Sequence, residues 1–221
     1  EEIKEQKCLQ LKQTGTSQNF QQRVTELRNA TRGNKEILYY GVENNGNVNF
    51  ADTDRVEGPT NEHVIPEHSI SNSVDAAIHN HFGNSLPFAS PEDLFTFFKF
   101  YDNDLIANSN TFMLYVVAPG DNVIDTSDDT IFALSITNKT KFETIGRTWL
   151  SNLIFINNLF ENKKNKIHQD ISTSTNVKRF VKLLKESNFG LTLYEGNLDD
   201  LTDWKELEHD GNNNPKQITC N

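Results

Sequence analysis

The sequence contains no long apolar run. A membrane-spanning helix needs about 18 to 20 consecutive apolar residues, and the longest apolar stretches here, such as 112–118 and 153–156, are far shorter. These stretches are of the size found in the core of a globular protein. We therefore predict no membrane span.

The sequence is also poor in positive charge. It has 21 Lys and Arg against 31 Asp and Glu, which gives a net charge of −10. Nucleic-acid binders neutralise phosphates with clustered Lys and Arg, and no such stripe is present, so we expect no nucleic-acid partner. We interpret the acidic charge as a source of solubility.

Cysteine is scarce, with only Cys8 and Cys220 near the two ends of the chain. They have no CxxC spacing and no histidine close by, which argues against a zinc ribbon. Domain termini often lie close together, and the chain-entropy model credits a bridge between them with roughly 5 kcal/mol. Such a bridge would indicate an oxidising compartment, hence a secreted, periplasmic or cell-surface protein. The alternative is that the two cysteines are unrelated free thiols, and the sequence does not decide between the bridge and the free thiols.

The length and composition predict one globular domain. A chain of 221 residues, 35% hydrophobic and 24% charged, is long enough to bury its own core. We divide this single domain, 1–221, into an N-terminal lead at 1–16, a core at 17–137, C-terminal helices and a strand at 138–208, and a polar tail at 209–221.

Hydrophobic periodicity predicts the secondary structure. Helices are expected at 17–31, 91–101, 141–163 and 175–187, and strands at 36–42, 47–51, 74–81, 111–118, 130–137, 191–195 and 204–208. This mixed order predicts an α/β (α+β layered) fold in which helices flank a mixed, mostly antiparallel sheet.

One stretch has the residues for metal chemistry. His79 and His81 lie at the end of a predicted strand, and because strand side chains alternate between faces, both imidazoles point to the same side. After a short loop a helix begins, with Ser90 at its N-cap, Pro91 at N1 and Asp93 at N3. If the loop folds back, two histidines and an aspartate supply three ligands and leave a fourth position for water, as in a catalytic zinc site.

Each half of this pattern also has a purely structural interpretation. Ser90-x-x-Asp93 is close to a capping box, and histidines at a strand end often form only a polar edge. The presence of both halves, joined by a short loop, favours a metal site.

The same stretch resembles the JAB/JAMM (MPN-type) zinc metalloprotease domain. The pattern of that family is His-x-His, about ten residues, and then Asp with Ser three residues before it; His79, His81, Ser90 and Asp93 match these places. The resemblance implies Zn²⁺ bound by His79, His81 and Asp93, with Ser90 helping to hold the oxyanion. It also implies a cytidine-deaminase-like fold. A looser likeness over most of the chain is to a secreted or cell-surface bacterial branch.

The resemblance further implies a general base on an early strand. Glu36 is the best match for the glutamate that the family carries there. Four other glutamates are alternatives for this role, namely Glu43, Glu57, Glu62 and Glu67.

The remaining histidines and aromatic residues have simpler interpretations. His63 and His68 are either a separate metal site or exposed loop residues, and His168 and His209 are expected at the surface. We expect core positions, with some wall of a cleft, for the aromatic stripe of Phe95, Phe97, Phe98, Phe100 and Tyr101.

These observations lead to one main functional hypothesis and two alternatives. The main hypothesis is a zinc-dependent hydrolase of peptide or isopeptide bonds that acts on a peptide or protein substrate. The first alternative is a catalytically inactive, JAB-like protein-binding module, because Phe82 replaces the usual Pro of the family and the spacing from His81 to Asp93 is one residue longer than usual. The second is an effector domain of a larger secreted protein, suggested by the terminal cysteines and a first residue, Glu1, that is not Met.

Overall fold

The computed structural model describes residues 2–44, 46–62, 64, 73–122, 124–211 and 215–220. Its helices are α1 (Glu2–Thr16), α2 (Gln18–Ala30), α3 (Pro91–Asp102), α4 (Lys139–Ile145), α5 (Leu153–Glu161) and α6 (Thr173–Glu186). Its strands are β1 (Ile37–Asn44), β2 (Asn47–Glu57), β3 (Ala76–Asn80), β4 (Met113–Ala118), β5 (Thr130–Ile136), β6 (Leu191–Gly196), β7 (Trp204–His209) and β8 (Pro215–Thr219).

The eight strands form one sheet in the order β2-β1-β3-β4-β5-β6-β7-β8. All neighbouring strands are antiparallel except β3 and β4. The predicted α+β layered class with a mostly antiparallel sheet is therefore confirmed. Strands β3 and β4 lie inside the sheet and are buried along their whole length, which explains the apolar residues of β4 and of the first three positions of β3.

Helices cover both faces of the sheet, so the domain has three layers. On one face, α1 and α2 pack through Leu11, Phe20, Val24 and Leu27. On the other face, α3 to α6 pack over a larger core. This second core includes Leu38, Tyr40, Ala77, Leu94, Phe97, Phe98, Phe142, Ile156, Phe160 and Phe180. None of the helices in the described ranges has the length and apolar character of a membrane span.

The structure corrects the expected secondary structure at both ends of the chain. Residues 1–16, expected as an N-terminal lead, contain helix α1, which buries only Lys7, Leu11, Thr14 and Gly15 and so shows no clear apolar stripe. The tail expected at 209–221 contains β8, an edge strand of mostly polar residues that pairs with β7. Because backbone hydrogen bonds form this pairing, polar side chains do not prevent it.

The single helix expected at 141–163 is in fact interrupted. Helix α4 ends at Ile145, a π-helical turn covers Gly146–Leu150, and α5 starts again at Leu153. The Asn152 side chain accepts a hydrogen bond from the Phe155 amide at 3.1 Å and caps the new helix. Asparagine side chains compete with helical backbone bonds in this way, and the apolar periodicity did not reveal the break.

A disulfide joins Cys8 of α1 to Cys220, with Cα atoms 5.0 Å apart. Both cysteines of the chain are used, and the bridge predicted as one of two alternatives is present. It ties the first helix to the residue that follows the last strand.

Candidate metal centre

His79 lies in β3, between β1 and β4, and His81 directly follows the last residue of that strand. Side chains alternate along this strand: Ala76 and Ile78 face the layer of α1 and α2, whereas Ala77 faces the larger core. His79 and His81 share the face of Ala77 and are 4% and 1% exposed. Burial of both imidazoles follows from the position of β3 within the sheet.

Asp93 reaches the histidines from the first turn of α3. Ser90 is the N-cap of this helix, and its Oγ accepts a hydrogen bond from the Asp93 amide at 3.1 Å. The Asp93 carboxylate returns to the Ser90 amide, with Oδ2 at 2.7 Å, and completes a capping box. The structural interpretation of Ser90-x-x-Asp93 is therefore right, and the same capping interaction holds the carboxylate next to the histidines.

The side chains of three potential ligand residues lie close together. His79 Nε2 lies 3.1 Å from His81 Nε2 and 3.1 Å from Asp93 Oδ1, and His81 Nε2 lies 3.1 Å from Asp93 Oδ2. Ligands of a tetrahedral ion with bonds of about 2.0–2.1 Å are separated by about 3.3 Å. His79, His81 and Asp93 can therefore hold one metal ion.

A backbone carbonyl orients one of the two rings. His81 Nδ1 lies 2.6 Å from the carbonyl oxygen of Leu86, to which its N–H can donate. This contact points Nε2 of His81 toward the other two ligands. Metal-binding histidines commonly use their second nitrogen in this way.

The charges of the group favour an ionised carboxylate. Burial acts to raise the pKa of Asp93, but the charges and hydrogen bonds of His79 and His81 hold that pKa well below its usual range. Burial acts to lower the pKa of His81, but the hydrogen bond and charge of Asp93, the charge of Glu36 and the Leu86 carbonyl together raise it to about 9. A metal ion at these atoms therefore competes with a proton on His81.

Glu36 immediately precedes β1 and is 3% exposed. Its Oε1 lies 3.9 Å from His81 Nε2, and its Oε2 accepts a hydrogen bond from the Val64 amide at 2.8 Å. The pairing of β1 with β3 brings it there, because the register sets Leu38 opposite His79. The alternatives Glu43, Glu57 and Glu62 are exposed, whereas Glu67 lies outside the described residues.

The other residues considered from the sequence either fall outside the described residues or are surface and core residues. His63 and His68 fall outside the described residues. The side chain of His168 is 50% exposed and lies next to Asp170, and His209 is partly exposed. In the aromatic stripe, Phe97, Phe98 and Phe100 are buried in the larger core, with Phe95 and Tyr101 packed against it.

Two cavities adjoin the cluster. A small one, of about 50 Å³, is bordered by Glu36, His79, Asp93 and apolar side chains that include Phe97 and Phe100. These two aromatic residues thus contribute both to the core and to the wall of a cavity. A larger cleft, of about 300 Å³, lies on the side of His81 and Ser90, between the start of α3 and the end of α5.

Sequence reasoning missed two groups that hold this site together. The Leu86 carbonyl has no sequence signal, because every residue has one. Asn80, between the two histidines in the sequence, is fully buried. The signal that could have revealed its role is a polar residue between two metal ligands on a central strand.

Comparison with other proteins adds no relative. The chain matches no protein-family model, no curated protein and no solved structure.

Proposed function

We propose that this protein is a zinc-dependent hydrolase of peptide or isopeptide bonds, related to the JAB/JAMM metalloproteases. The observation that carries the proposal is the convergence of His79, His81 and Asp93 at 3.1 Å separations, with the buried carboxylate of Glu36 3.9 Å from His81 Nε2. Two imidazole nitrogens, one carboxylate and an open position form a donor set typical of catalytic zinc. A carboxylate outside the ligand set can then act on the attacking water.

The proposed hydrolysis assigns a separate role to the bound metal and to Glu36. Bound zinc would supply a water of lowered pKa and polarise the substrate carbonyl. Glu36 accepts the proton of the attacking water and later donates it to the leaving amine. The Val64 amide holds Glu36 Oε2, so that Oε1 is the oxygen directed toward the histidines.

Ser90 can assist at the substrate carbonyl. Its Oγ accepts the Asp93 amide hydrogen, so its own hydroxyl hydrogen can still be donated. A donor placed next to the metal ligands can stabilise the developing oxyanion.

The two cavities provide room for these steps. The cavity of about 50 Å³ beside Glu36, His79 and Asp93 exceeds the roughly 10–15 Å³ that one water requires. The cleft of about 300 Å³ beside His81 and Ser90 is at the lower end of the range of ligand pockets. We assign the small cavity to the attacking water and the cleft to a segment of the peptide substrate.

The second candidate is a binding module on the same scaffold that does not hydrolyse its partner. Its specific support is the restricted access to the ligands, since the side chains of His79, His81 and Asp93 are only 5%, 1% and 18% exposed. Phe82 and the longer loop before Asp93 also favour it. Zinc bound in a 1:1 ratio, without cleavage of any member of a broad peptide library, would support this candidate.

The Cys8–Cys220 disulfide supports a place for the protein in an oxidising compartment. We therefore propose that it acts outside the cytosol, as a secreted, periplasmic or cell-surface protein. An effector domain of a larger secreted protein fits the same observation.

The decisive experiment combines metal content with turnover in the variant Glu36→Gln. We expect this variant to retain one zinc ion, because Glu36 is not a ligand, and to lose peptide cleavage by about 100-fold or more, in line with the usual contribution of a general base. Glu43→Gln is the matched control, since Glu43 is exposed and far from the ligands in the β1–β3 register. Unchanged cleavage by Glu36→Gln would exclude Glu36 as the base, and absence of zinc from the unmodified protein would exclude the function.

A further inference from the structure

Asn80 lies where the backbone pairing of β1 with β3 stops. The ladder between these strands ends at Leu38 and His79. One residue further along β3, Asn80 is 0% exposed, so both polar ends of its amide need partners. The position is notable because Glu36 comes immediately before β1.

Beyond Leu38 and His79 the side-chain amide of Asn80 forms hydrogen bonds to the backbone of the β1 side, in place of further backbone pairing between the two strands. Its Oδ1 accepts a hydrogen bond from the Ile37 amide at 2.8 Å, and its Nδ2 donates to the Lys35 carbonyl at 3.1 Å. Lys35 and Ile37 are the two neighbours of Glu36 in the chain. The side chain of Asn80 thus fixes the backbone on both sides of the carboxylate.

Contacts from other parts of the chain also hold Glu36. Its carbonyl accepts a hydrogen bond from the Gly58 amide at 2.9 Å, and its Oε2 accepts one from the Val64 amide at 2.8 Å. Both of these partners lie outside β3. The side chain of Asn80 joins the strand of the two histidines to the segment of Glu36 beyond the end of the ladder.

We propose that Asn80 is a positioning residue that sets the distance between the Glu36 carboxylate and the metal ligands His79 and His81. The inference rests on the proposed function, in which Glu36 is the general base. Nδ2 of Asn80 also lies 3.4 Å from the His81 carbonyl, so one amide contacts both segments. A displaced base raises the barrier to proton transfer without changing how the substrate is bound.

The test compares Asn80→Ala with Asn19→Ala. Asn19 is a matched control, because its side chain also accepts one backbone hydrogen bond and donates another. It accepts from the Phe50 amide at 2.8 Å and donates to the Phe50 carbonyl at 3.2 Å, and it joins α2 to β2, away from the ligands. We expect Asn80→Ala to retain zinc and lower kcat by about 10- to 100-fold, the scale of a misplacement near 1 Å, with KM within about twofold. Asn19→Ala should keep kcat within about twofold.

A double-mutant cycle separates positioning from a general loss of structure. If Asn80 acts through Glu36, Asn80→Ala should cause no further loss of kcat in a Glu36→Gln background. An equal loss in both backgrounds, or an unchanged kcat in the folded, zinc-loaded Asn80→Ala protein, would overturn the inference. Asn80→Ser, which keeps a smaller polar group, serves if Asn80→Ala does not fold.

Two measurements that do not depend on catalytic activity, a crystal structure and hydrogen exchange, separate this inference from the proposed function. If the unmodified protein cleaves no peptide, the proposed function fails, and a crystal structure of Asn80→Ala decides the inference. Faster hydrogen exchange at the Ile37 amide and a shift of Glu36 Oε1 away from its 3.9 Å distance to His81 Nε2 would support it. Unchanged exchange and an unchanged distance would refute it.

Discussion

The buried side chain of Lys7 allows a quantitative test of how burial of a charge affects stability. Lys7 lies on α1 and is fully buried, with Nζ 3.3 Å from the Phe112 carbonyl oxygen and 3.5 Å from that of Ser109. No carboxylate of the described residues forms an ion pair with it. Burial lowers the pKa of Lys7 from 10.5 to about 7.

This lowered pKa makes stability depend on pH. Because the unfolded chain holds its proton up to pH 10.5 and the folded chain only up to about pH 7, the unfolded state binds more protons between these values, and stability rises with pH across that window. The cost to the folded state is about 5 kcal/mol well below pH 7, about 4 kcal/mol at pH 7 and about 2 kcal/mol at pH 9.

Lys7→Met removes the charge and keeps a chain of similar length. The Phe112 carbonyl keeps its hydrogen bond from Ser135 Oγ at 3.0 Å, so that acceptor does not lose its only partner. We expect the free energy of unfolding to rise by about 4 kcal/mol at pH 7 and by only about 2 kcal/mol at pH 9, from the same linkage.

The assay is urea unfolding of both proteins at pH 7, 8 and 9, followed by circular dichroism. Lys12→Met, on the same helix but only partly buried, controls for the loss of a positive charge and should leave the pH dependence as it is. Equal stability of Lys7→Met and the unmodified protein at pH 7, or a difference that does not shrink toward pH 9, would refute the reasoning.

Two further predictions concern the disulfide and the metal. Replacing Cys8 and Cys220 together by serine should lower the free energy of unfolding by up to about 5 kcal/mol, because the bridge spans 212 positions; denaturant titration measures this, and a loss below about 1 kcal/mol would contradict the entropic argument. Asp93→Ala should abolish the thermal stabilisation by zinc, which in the unmodified protein should reach about 2.7 kcal/mol at a zinc concentration 100-fold above Kd. Asp102→Ala, at the other end of α3, should retain that stabilisation, and an equal loss in both variants would argue against Asp93 as a ligand.

The parts of the fold that were predictable are those with a local signal. Helix α2 follows from Phe20, Val24 and Leu27 at helical spacing, and the structure shows Ser17 as its N-cap. The start of α3 follows in the same way from Ser90 and its capping box. In both places the backbone geometry of a few neighbouring residues is sufficient.

The parts that were missed depend on distant partners. Helix α1 has a weak apolar pattern and is held by packing on the sheet and by the Cys8–Cys220 bridge. Strand β8 exists because β7 offers it a free edge. The interruption before Leu153 arises because Asn152 caps a new helix and does not continue the old one. The two arrangements differ little in local free energy, so the neighbouring sequence does not reveal which one forms.

The candidate site shows the same division. The sequence by itself determined that His79 and His81 share one face of a strand and that Asp93 sits in a capped first turn, because the period of a strand and the geometry of a cap are local properties. Only the tertiary structure decided that the loop brings Asp93 to the histidines and that the β1–β3 register brings Glu36 beside them. Those distances depend on burial and on strand register, which are set by the packing of the whole domain rather than by neighbouring residues.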